Sequence, residues 1–251
     1  MIGLILGDTQ LGKVIIKKLK LLKIKFIIID ISKKKIFRGN KNSHSLSMGQ
    51  LGKAISILKK NRCKKIIFAG KVNKPNFSKV KFDLKALYYL PKIIKESTKG
   101  DAPILKVIIK IFKKEGFKII KSTFFNPELV LTKGNYTKIK PNNLNKKDIS
   151  RGKNIVTDLK ESNIGQAVVV RNGHVIAIES SDGTDAMLHR AAILLKRFIL
   201  EKKKEGILLK FPKRNQDLRI DLPTVGIKTI NRCEKIGLKG IVVKANQNIF
   251  L

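Results

Sequence analysis

Gly3-Leu4-Ile5-Leu6-Gly7-Asp8-Thr9-Gln10-Leu11 opens the chain with a short apolar run, a turn that contains glycine, and the first residues of a helical pattern. Apolar residues recur at helical spacing over 11–22, and a second apolar run over 25–29 ends in Asp30. A strand, an amphipathic helix and a second strand form a βαβ unit, whose strands lie parallel in one sheet. The opening of the chain therefore predicts an α/β fold.

The alternation of helix-like and strand-like segments continues through the first half of the chain. Helical spacing returns over 51–60, and the apolar run over 65–69 ends at Gly70. A further helix over 103–115 and a strand over 117–122 repeat the pattern. Strands that alternate with helices predict a parallel sheet covered by helices.

The second half of the chain has a different pattern. Residues 133–153 are polar and rich in Asn, Lys and Gly, as expected for a connection between domains. Apolar runs over 167–170 and 175–178 flank Asn172-Gly173, a pair that suits the positive φ angles of a hairpin turn. We therefore predict a domain boundary near 133–153, followed by an antiparallel hairpin.

Helices and strands alternate again after the hairpin. Helical spacing predicts a long helix over 184–203, and apolar runs predict strands over 207–211 and 240–243. The two strands bracket the segment around Asp221 and another short helix.

The formal net charge of +37 is the most conspicuous bulk property of the chain. Such a charge attracts nucleic acid, anionic membrane or a phosphate-bearing substrate, and does not choose among them. The cations are mostly Lys spread through nearly every segment, Trp is absent and there are 3 Tyr. A nucleic-acid surface is instead clustered and interleaved with stacking aromatic residues. The composition favours AT-rich codon usage as the origin of the charge, with a nucleic-acid-binding protein as an alternative.

The sequence also indicates where the protein works. Its apolar stretches are far shorter than the roughly 20 residues that cross a bilayer. The N-terminus lacks the basic region, apolar core and cleavage site of a signal peptide, so we expect a cytoplasmic protein. Cys63 and Cys233 lack the spacing of a metal site or a disulfide framework, and are expected to be reduced thiols.

The first glycine-containing turn is similar to two phosphate-binding motifs and matches neither. A P-loop has Ser or Thr where Val14 stands, and a dinucleotide fingerprint has glycine where Thr9 stands. Asp30 has the spacing of a ribose-binding acid, so a nicotinamide-dependent enzyme is a weaker alternative. A loop that leads into a helix N-terminus is still a suitable place for an anion, although a tight turn without a ligand explains it equally well.

Two further loops of the first half carry polar side chains. Residues 70–75 begin where a strand ends, and they contain Asn73, which can donate and accept, and Lys71, which can meet phosphate. A solvated loop stiffened by Pro75 is the alternative interpretation. Asp101 immediately precedes a helix, so a role as N-cap residue is sufficient on local grounds.

Acids stand beside cations in two loops of the second half. Asp182-Gly183-Thr184-Asp185 precedes the long helix, where Thr184 or Asp182 can cap it and Asp185 can complement its dipole. Asp221 follows Lys210, Lys213, Gln216 and Arg219, and begins a loop in which Pro223 fixes the backbone and Thr224 can cap a helix. Phosphoryl chemistry uses cations to neutralise phosphate oxygens, and Asp to hold a divalent metal or to position water. Capping is the alternative at both places.

In order and spacing, these segments resemble those of the LpxI-type UDP-2,3-diacylglucosamine diphosphatases of Gram-negative lipid A synthesis. The resemblance covers nearly the whole chain. Its segments are Gly3-Leu4-Ile5, residues 70–77, Lys99-Gly100-Asp101, Ile164-Gly165-Gln166, Ala177-Ile178-Glu179, residues 183–188, residues 210–226 and Gly237-Leu238-Lys239-Gly240-Ile241.

The resemblance implies an N-terminal Rossmann-like domain over 1–132, a connection over 133–153 and a C-terminal catalytic α/β domain with a mixed sheet over 154–251, with a substrate cleft between the domains. It implies hydrolysis of UDP-2,3-diacylglucosamine to UMP and 2,3-diacylglucosamine 1-phosphate (lipid X), by metal-assisted attack of water on the α-phosphorus.

The resemblance also implies roles for individual residues. Asp221 matches the aspartate that the family needs for turnover, and its implied role is coordination of Mg²⁺ or another divalent cation and positioning of water. Asp185 is the second implied metal ligand, with Glu179 left open in its place or beside it. The implied substrate contacts are Lys71, Asn73, Lys99, Asp101, Gly183, Thr184, Lys210, Gln216, Arg219 and Thr224.

Partners follow from the implied substrate. Because that substrate carries two acyl chains and the protein is strongly cationic, we expect reversible, peripheral association with the anionic inner face of the inner membrane. No obligate nucleic acid is expected, and a homodimer is left open.

The sequence departs from the family pattern in three places. Asp8, Thr9 and Gly12 stand in the first loop, where the family usually has consecutive glycines and a proline. Ala102 replaces a second Asp, so this position supplies no carboxylate ligand. The chain ends at Leu251, where relatives usually run on, so we expect the C-terminal edge to fold differently.

Overall fold

The computed structural model describes residues 1–72, 77–98, 100–162, 164–198, 204–214 and 216–251. It divides into two compact units. The first unit is Met1–Pro127 together with Asp217–Asp221, and the second is Glu128–Gln216 together with Leu222–Leu251. A short segment of the second half of the chain therefore belongs to the first unit.

The first unit is a parallel sheet with helices. Its elements are β1 (Ile2–Leu6), α1 (Gln10–Leu21), β2 (Phe26–Asp30), β3 (Ser43–Ser45), α2 (Leu51–Lys60), β4 (Lys65–Ala69), α3 (Leu84–Ser97), α4 (Asp101–Lys114) and β5 (Lys118–Ile119). The strands lie in the order β3-β2-β1-β4-β5, and all neighbouring pairs are parallel. This is the strand order of a Rossmann-like sheet, with its switch point between β1 and β4. The predicted fold class is confirmed.

Hydrophobic spacing explains why these residues form these elements. All five residues of β1 are buried, as in a central parallel strand covered on both faces. Helix α1 buries Leu11, Ile15 and Leu19, while Lys13 and Lys17 are exposed. The predicted βαβ unit is present. Element β3 and helix α3 were not predicted from the sequence.

The second unit contains a mixed sheet. Its elements are α5 (Asn143–Glu161), β6 (Ala167–Arg171), β7 (His174–Ile178), α6 (Thr184–Phe198), β8 (Ile207–Lys210), β9 (Thr224–Val225), α7 (Ile227–Lys235), β10 (Gly240–Val243) and β11 (Ile249–Phe250). The main sheet has the order β10-β8-β6-β7, in which β10 and β8 are parallel and the other pairs antiparallel. Strands β9 and β11 form a separate parallel pair. The mixed sheet confirms the expected class of this unit.

The predicted hairpin joins β6 and β7. Asn172 and Gly173 have φ angles of 50° and 76°, the positive values that a type I′ turn requires. The buried carboxylate of Asp148 accepts from the backbone N–H groups of Asn172 at 3.1 Å and Gly173 at 2.6 Å. The hairpin tip is therefore fixed by a residue of α5.

Helix α5 occupies part of the polar stretch predicted to connect the domains. Its inward positions include Asn145, Asp148 and Gly152 before the apolar Val156 and Leu159. A Cβ on Gly152 would collide with Leu209 of β8, so the glycine allows close packing on the sheet. The first part of the inward face is thus polar or small, and for this reason hydrophobic spacing does not indicate a helix over the whole stretch.

The segment after Asp221 differs from the loop predicted to enter a helix. Thr224 lies in strand β9 and pairs with Ile249, so it does not cap a helix. The N-cap residue of α7 is Gly226. The prediction was wrong because β9 takes its partner from the C-terminal end of the chain, which local sequence does not reveal. The predicted helix 184–203 is described as far as Phe198, and 199–203 lie outside the described residues.

Candidate active site

The switch point of the first unit is built from closely approaching backbones. The N–H of Gly7 donates to the carbonyl of Ala69 at 2.9 Å, and the N–H of Asp8 donates to the carbonyl of Lys71 at 2.7 Å. A Cβ on Gly70, whose φ is +96°, would come within 2.9 Å of the Gly7 backbone. These contacts place the exposed Lys71 beside the loop that follows β1. Asn73, the other predicted contact of this loop, lies outside the described residues.

Asp30 does not have the freedom of a ribose-binding acid. It is fully buried, and one carboxylate oxygen accepts from the N–H and hydroxyl of Ser32 at 3.0 and 2.6 Å. The other oxygen accepts from the N–H of Phe37 at 3.0 Å. Both oxygens are thus used to shape the loop after β2. The spacing that suggested a nicotinamide site therefore has a structural explanation.

The loop before α4 holds two predicted substrate contacts. Gly100 has φ +113° and is the N-cap residue of α4, so the prediction of Asp101 as N-cap was wrong. Asp101 is the first helical residue, and its side chain lies outside the described structure. Lys99 lies outside the described residues as well.

The segment from Asp217 to Asp221, here called the Asp217 turn, docks at the carboxyl end of β5. The N–H of Ser122 donates to the carbonyl of Arg219 at 2.8 Å. The side chain of Ile220 packs against the core of the first unit. A backbone hydrogen bond and an apolar anchor therefore hold the turn at the edge of the sheet where open α/β proteins bind ligands.

Asp217 organises this turn through both its backbone and its carboxylate. Its carbonyl accepts from the N–H of Ile220 at 3.0 Å and from that of Asp221 at 2.9 Å. Its carboxylate accepts from Arg219 through the backbone N–H at 3.1 Å, Nε at 2.9 Å and Nη2 at 2.5 Å. The guanidinium holds the pKa of Asp217 below its ordinary value. The backbone of Asp221 is fixed, and its side chain is half-buried.

In the second unit, several predicted residues meet at the end of the main sheet where β7 and β8 finish. Glu179 follows β7 and is 2% exposed, and its N–H donates to the carbonyl of Ala167 at 2.9 Å. Thr184, the first residue of α6, donates its hydroxyl to Glu179 Oε2 at 2.5 Å. Gly183 makes the preceding turn with φ +85°. Thr184 therefore orients a buried carboxylate, which the predicted capping role did not include.

Lys210 ends β8 opposite Ala167 and is 7% exposed. Its Nζ donates to the carbonyl of Thr224 at 3.0 Å, and its own carbonyl accepts from Asn248 Nδ2 at 3.1 Å. Burial lowers the pKa of Lys210, while the charges of Glu179 and Asp185 oppose this shift. A buried ammonium thus holds the strand that begins three residues after Asp221.

The remaining predicted residues of the second unit have partners of their own. Gln216 Oε1 accepts from the N–H of Lys213 at 2.9 Å, which closes the loop before the Asp217 turn. The hydroxyl of Thr224 donates to the carbonyl of Leu222 at 3.4 Å. Asp185 forms an ion pair with Arg232, and its side chain is 69% exposed.

The predicted site residues that the structure describes supply some of the ligands that a metal ion needs, but no complete set. Among the described residues, no group of three or more His, Cys, Asp and Glu side chains is arranged to hold one. Mg²⁺ is commonly bound by only one or two carboxylates, together with substrate phosphates and water. Asp221 and Asp185 supply hard oxygen ligands of this kind, so their chemistry fits Mg²⁺ bound together with a diphosphate.

Sequence reasoning missed two residues that shape these sites. Asp217 was not singled out, although an Asp in a loop is a signal for a turn in which its carboxylate accepts from the N–H two residues on, here that of Arg219. Asn248 lies far along the chain from Lys210 and carried no signal. Glu179 belonged to a recognised segment, but its contact with Thr184 depends on the turn at Gly183.

A Rossmann-like unit and a mixed-sheet unit, each with acids and cations at strand ends, define an α/β protein of the type that handles phosphate-bearing ligands. Comparison with known families makes this specific. Residues 1–129 match the LpxI N-terminal domain, and residues 132–251 match the LpxI C-terminal domain. The chain belongs to the LpxI family.

A curated relative is similar over most of its length. It is the UDP-2,3-diacylglucosamine pyrophosphatase LpxI of Caulobacter vibrioides, which is 36% identical over 203 residues. The match spans 80% of this chain and 72% of the relative. In the described part of this chain, no helix has the length and apolar character to cross a membrane.

Proposed function

We propose that this protein hydrolyses UDP-2,3-diacylglucosamine to UMP and 2,3-diacylglucosamine 1-phosphate in lipid A biosynthesis. The match of both LpxI domains across nearly the whole chain carries this conclusion. The relative named as a UDP-2,3-diacylglucosamine pyrophosphatase supports the same substrate. The enzyme is a diphosphate hydrolase.

The reaction places water oxygen on the α-phosphorus and breaks the bond from that phosphorus to the bridging oxygen. UMP retains the attacked phosphorus, and 2,3-diacylglucosamine 1-phosphate leaves with the bridging oxygen. In our proposal Asp221 positions the attacking water. This role is supported by the fixed backbone of the Asp217 turn, since a carboxylate that positions water must itself be held in place.

We propose that Asp221 and Asp185 hold Mg²⁺ or another divalent cation together with the diphosphate. The ion would neutralise charge on the phosphate oxygens when bound. Asp185 lies in the first turn of α6, where its exposed carboxylate pairs with Arg232.

The proposed substrate contacts are the residues carried over from the family pattern. Their support differs. Lys210 and Thr184 lie at one end of the second unit's sheet and orient buried partners. Arg219 donates to both carboxylate oxygens of Asp217 through Nε and Nη2, which leaves further N–H donors for a phosphate. The others are Lys71, Asn73, Lys99, Asp101, Gly183, Gln216 and Thr224.

We propose a cytoplasmic enzyme that works at the inner face of the inner membrane. The two acyl chains of the substrate and the net charge of +37 support a reversible, peripheral association with anionic lipid. A homodimer is compatible with this proposal.

Incubation with UDP-2,3-diacylglucosamine and MgCl₂ in detergent micelles tests the function. We expect release of UMP and 2,3-diacylglucosamine 1-phosphate, and incorporation of ¹⁸O from labelled water into UMP alone. Absence of both products from the native protein contradicts the function. Label in the sugar phosphate contradicts attack on the α-phosphorus but leaves the hydrolysis established. Chelation by EDTA tests the cation separately, because undiminished activity contradicts it.

A further inference from the structure

Helix α3 has two apolar faces, and among the described residues one packs on the core while the other is exposed. Its buried or partly buried side includes Ala86, Tyr89 and Ile93, which pack on the core of the first unit. Its outer side carries a second apolar stripe, here called the α3 stripe, at helical spacing. The α3 stripe consists of Leu84 (87% exposed), Leu87 (49%), Tyr88 (78%), Pro91 and Ile94 (43%).

Helix α2, which packs on the same core, shows how unusual this outer side is. Its inward residues include Ala54, Ile55 and Leu58, and its exposed positions are Lys53, Ser56, Lys59 and Lys60. A surface helix normally has this division into an apolar and a polar side. Helix α3 exposes apolar residues where α2 exposes lysines, so its outer side is suited to an apolar environment.

Contacts at its first turn anchor helix α3 with this side outward. Asp83 caps it by accepting from the N–H of Ala86 at 2.9 Å, and the same carboxylate accepts from the N–H of Lys53 at 3.0 Å. Lys85 forms an ion pair with Glu115, next to the end of α4. The exposure of the α3 stripe therefore belongs to an anchored helix.

The charges around the α3 stripe favour an anionic partner. Lys92 and Lys95 are exposed beside it, whereas Glu96 lies on another side of the helix. Lysines that flank an apolar stripe are typical of helices that lie in the interface of an anionic membrane. Tyrosine is also favoured at that depth, because its ring is apolar and its hydroxyl stays in contact with water.

We propose that the α3 stripe is the surface by which this protein docks on an anionic lipid bilayer. The proposal rests on the proposed function, since it names the part of the enzyme that meets the membrane containing its substrate. A second copy of the chain is a less suitable occupant, because each copy carries a net charge of +37 and brings the same lysines to the contact.

The absence of Trp from the sequence allows a direct test with one fluorophore. Tyr88→Trp places it in the α3 stripe, and the control Leu21→Trp places it at the exposed end of α1, where Leu21 is 75% exposed. With vesicles of 30 mol% phosphatidylglycerol in phosphatidylcholine, emission from Tyr88→Trp should shift to shorter wavelength, while Leu21→Trp should change little. No shift in Tyr88→Trp, or an equal shift in both, overturns the proposal.

Vesicle flotation measures the contribution to binding. The double variant Leu84→Ser/Tyr88→Ser should bind phosphatidylglycerol vesicles about tenfold more weakly, because two exposed apolar side chains no longer enter the interface. The matched control is Leu21→Ser/Leu22→Ser, which removes apolar side chains that are 75% and 47% exposed. Equal losses in the two variants overturn the proposal, as does a native dimer that only the α3 variant dissociates in sedimentation.

Activity measured in two settings separates this proposal from the proposed function. In detergent micelles, hydrolysis by Leu84→Ser/Tyr88→Ser should equal that of the native protein, and with vesicle-borne substrate it should fall in proportion to binding. An equal loss of activity in micelles overturns a purely docking role. If the native protein hydrolyses nothing, the proposed function fails, while the Tyr88→Trp emission still decides whether α3 meets the bilayer.

Discussion

The Asp217 turn of the first unit and the buried residues around Lys210 in the second are fixed by different means. In the turn, the Asp217 and Arg219 carbonyls accept from backbone N–H groups, the Asp217 carboxylate binds Arg219, and Asp221 is half-buried. The second region is held by buried side chains, with Glu179 at 2% and Lys210 at 7% exposure. A half-buried acid on a fixed backbone suits chemistry, whereas buried charges suit the maintenance of geometry.

Replacement of Asp221 should have the largest effect and test the first half of this comparison. Asp221→Asn should reduce kcat by about 10²–10⁴-fold, the range for loss of a group that handles the proton of a reacting molecule. Its melting temperature should remain near that of the native protein, because the backbone contacts of the turn persist. UMP release and thermal melting measure the two effects. The control is Asp158→Asn on the exposed side of α5, and activity in Asp221→Asn equal to that of the control would rule out the assignment.

Replacement of Lys210 tests whether buried side chains maintain the geometry of the second region. Lys210→Met removes the ammonium that donates to the Thr224 carbonyl, and a buried group left unpaired costs about 2 kcal/mol. We expect kcat/KM to fall by roughly 30-fold, which is that free energy expressed as a rate ratio. Lys235→Met, at an exposed position of α7, should have no comparable effect. Steady-state kinetics of both variants decide, and an unaffected Lys210→Met would show that the ammonium does not maintain the site.

Crowding at Gly165 offers a way to disturb Glu179 without changing its chemistry. Gly165 is buried, and a Cβ there would collide with the Glu179 carbonyl. Gly165→Ala should therefore reduce the free energy of unfolding by about 1–2 kcal/mol, as overpacking does. In Gly240→Ala the added Cβ would have an ordinary contact of 3.9 Å with Ile207, so this control should unfold at nearly the native denaturant concentration. Equal midpoints for the two variants in urea titration would contradict the close approach.

Replacement of Asp217 should have the smallest effect and shows how far the turn depends on side chains. Asp217→Asn keeps the backbone carbonyl that accepts from Asp221 but weakens the pair with Arg219, so kcat/KM should fall by about fivefold, or about 1 kcal/mol. Glu161→Gln, which breaks the exposed pair with Arg214, is the matched control and should change little. A loss as large as that of Asp221→Asn would show that the carboxylate, rather than the backbone, fixes the turn.

The same variant has a defined pH dependence. Because Arg219 lowers the pKa of Asp217 in the folded state, the pair contributes its full stability above the ordinary carboxyl range and loses it as pH falls through the lowered pKa. The stability difference between native protein and Asp217→Asn should thus be full at neutral pH and close only under strongly acidic conditions. Urea titrations at several pH values measure it, and a difference that grows toward acid would contradict the pairing.

Apolar buried residues allowed local sequence to predict some elements with their bounds. Strand β4 and helix α2 have the predicted bounds, and the buried residues of each are Ile, Leu or Ala. Helix α5 was not predicted because Asn145, Asp148 and Gly152 occupy its first inward positions. Strand β9 was not predicted because its partner β11 comes from the C-terminal end of the chain.

The candidate site divides in the same way. The segments that resemble the family contain Asp221, Thr184 and Lys210, so order and spacing could mark these residues as candidates. Their partners could not, since the contacts between Lys210 and Asn248 and between Ser122 and Arg219 join residues far apart in the chain. Asp30 is the opposite case. Its spacing suggested a nicotinamide site, but its carboxylate accepts from Ser32 and Phe37 in the loop after β2.

The sequence by itself determined the α/β class, the family and the identity of Asp221 as the residue to test, because these depend on periodic hydrophobicity and ordered motifs. The tertiary structure decided that Asp221 belongs to the first unit, that Thr224 lies in a strand, and that α3 exposes a second apolar side. Each of these depends on which distant backbone or core a segment contacts. Packing and hydrogen bonding across the fold set these contacts, and local residue patterns do not encode them.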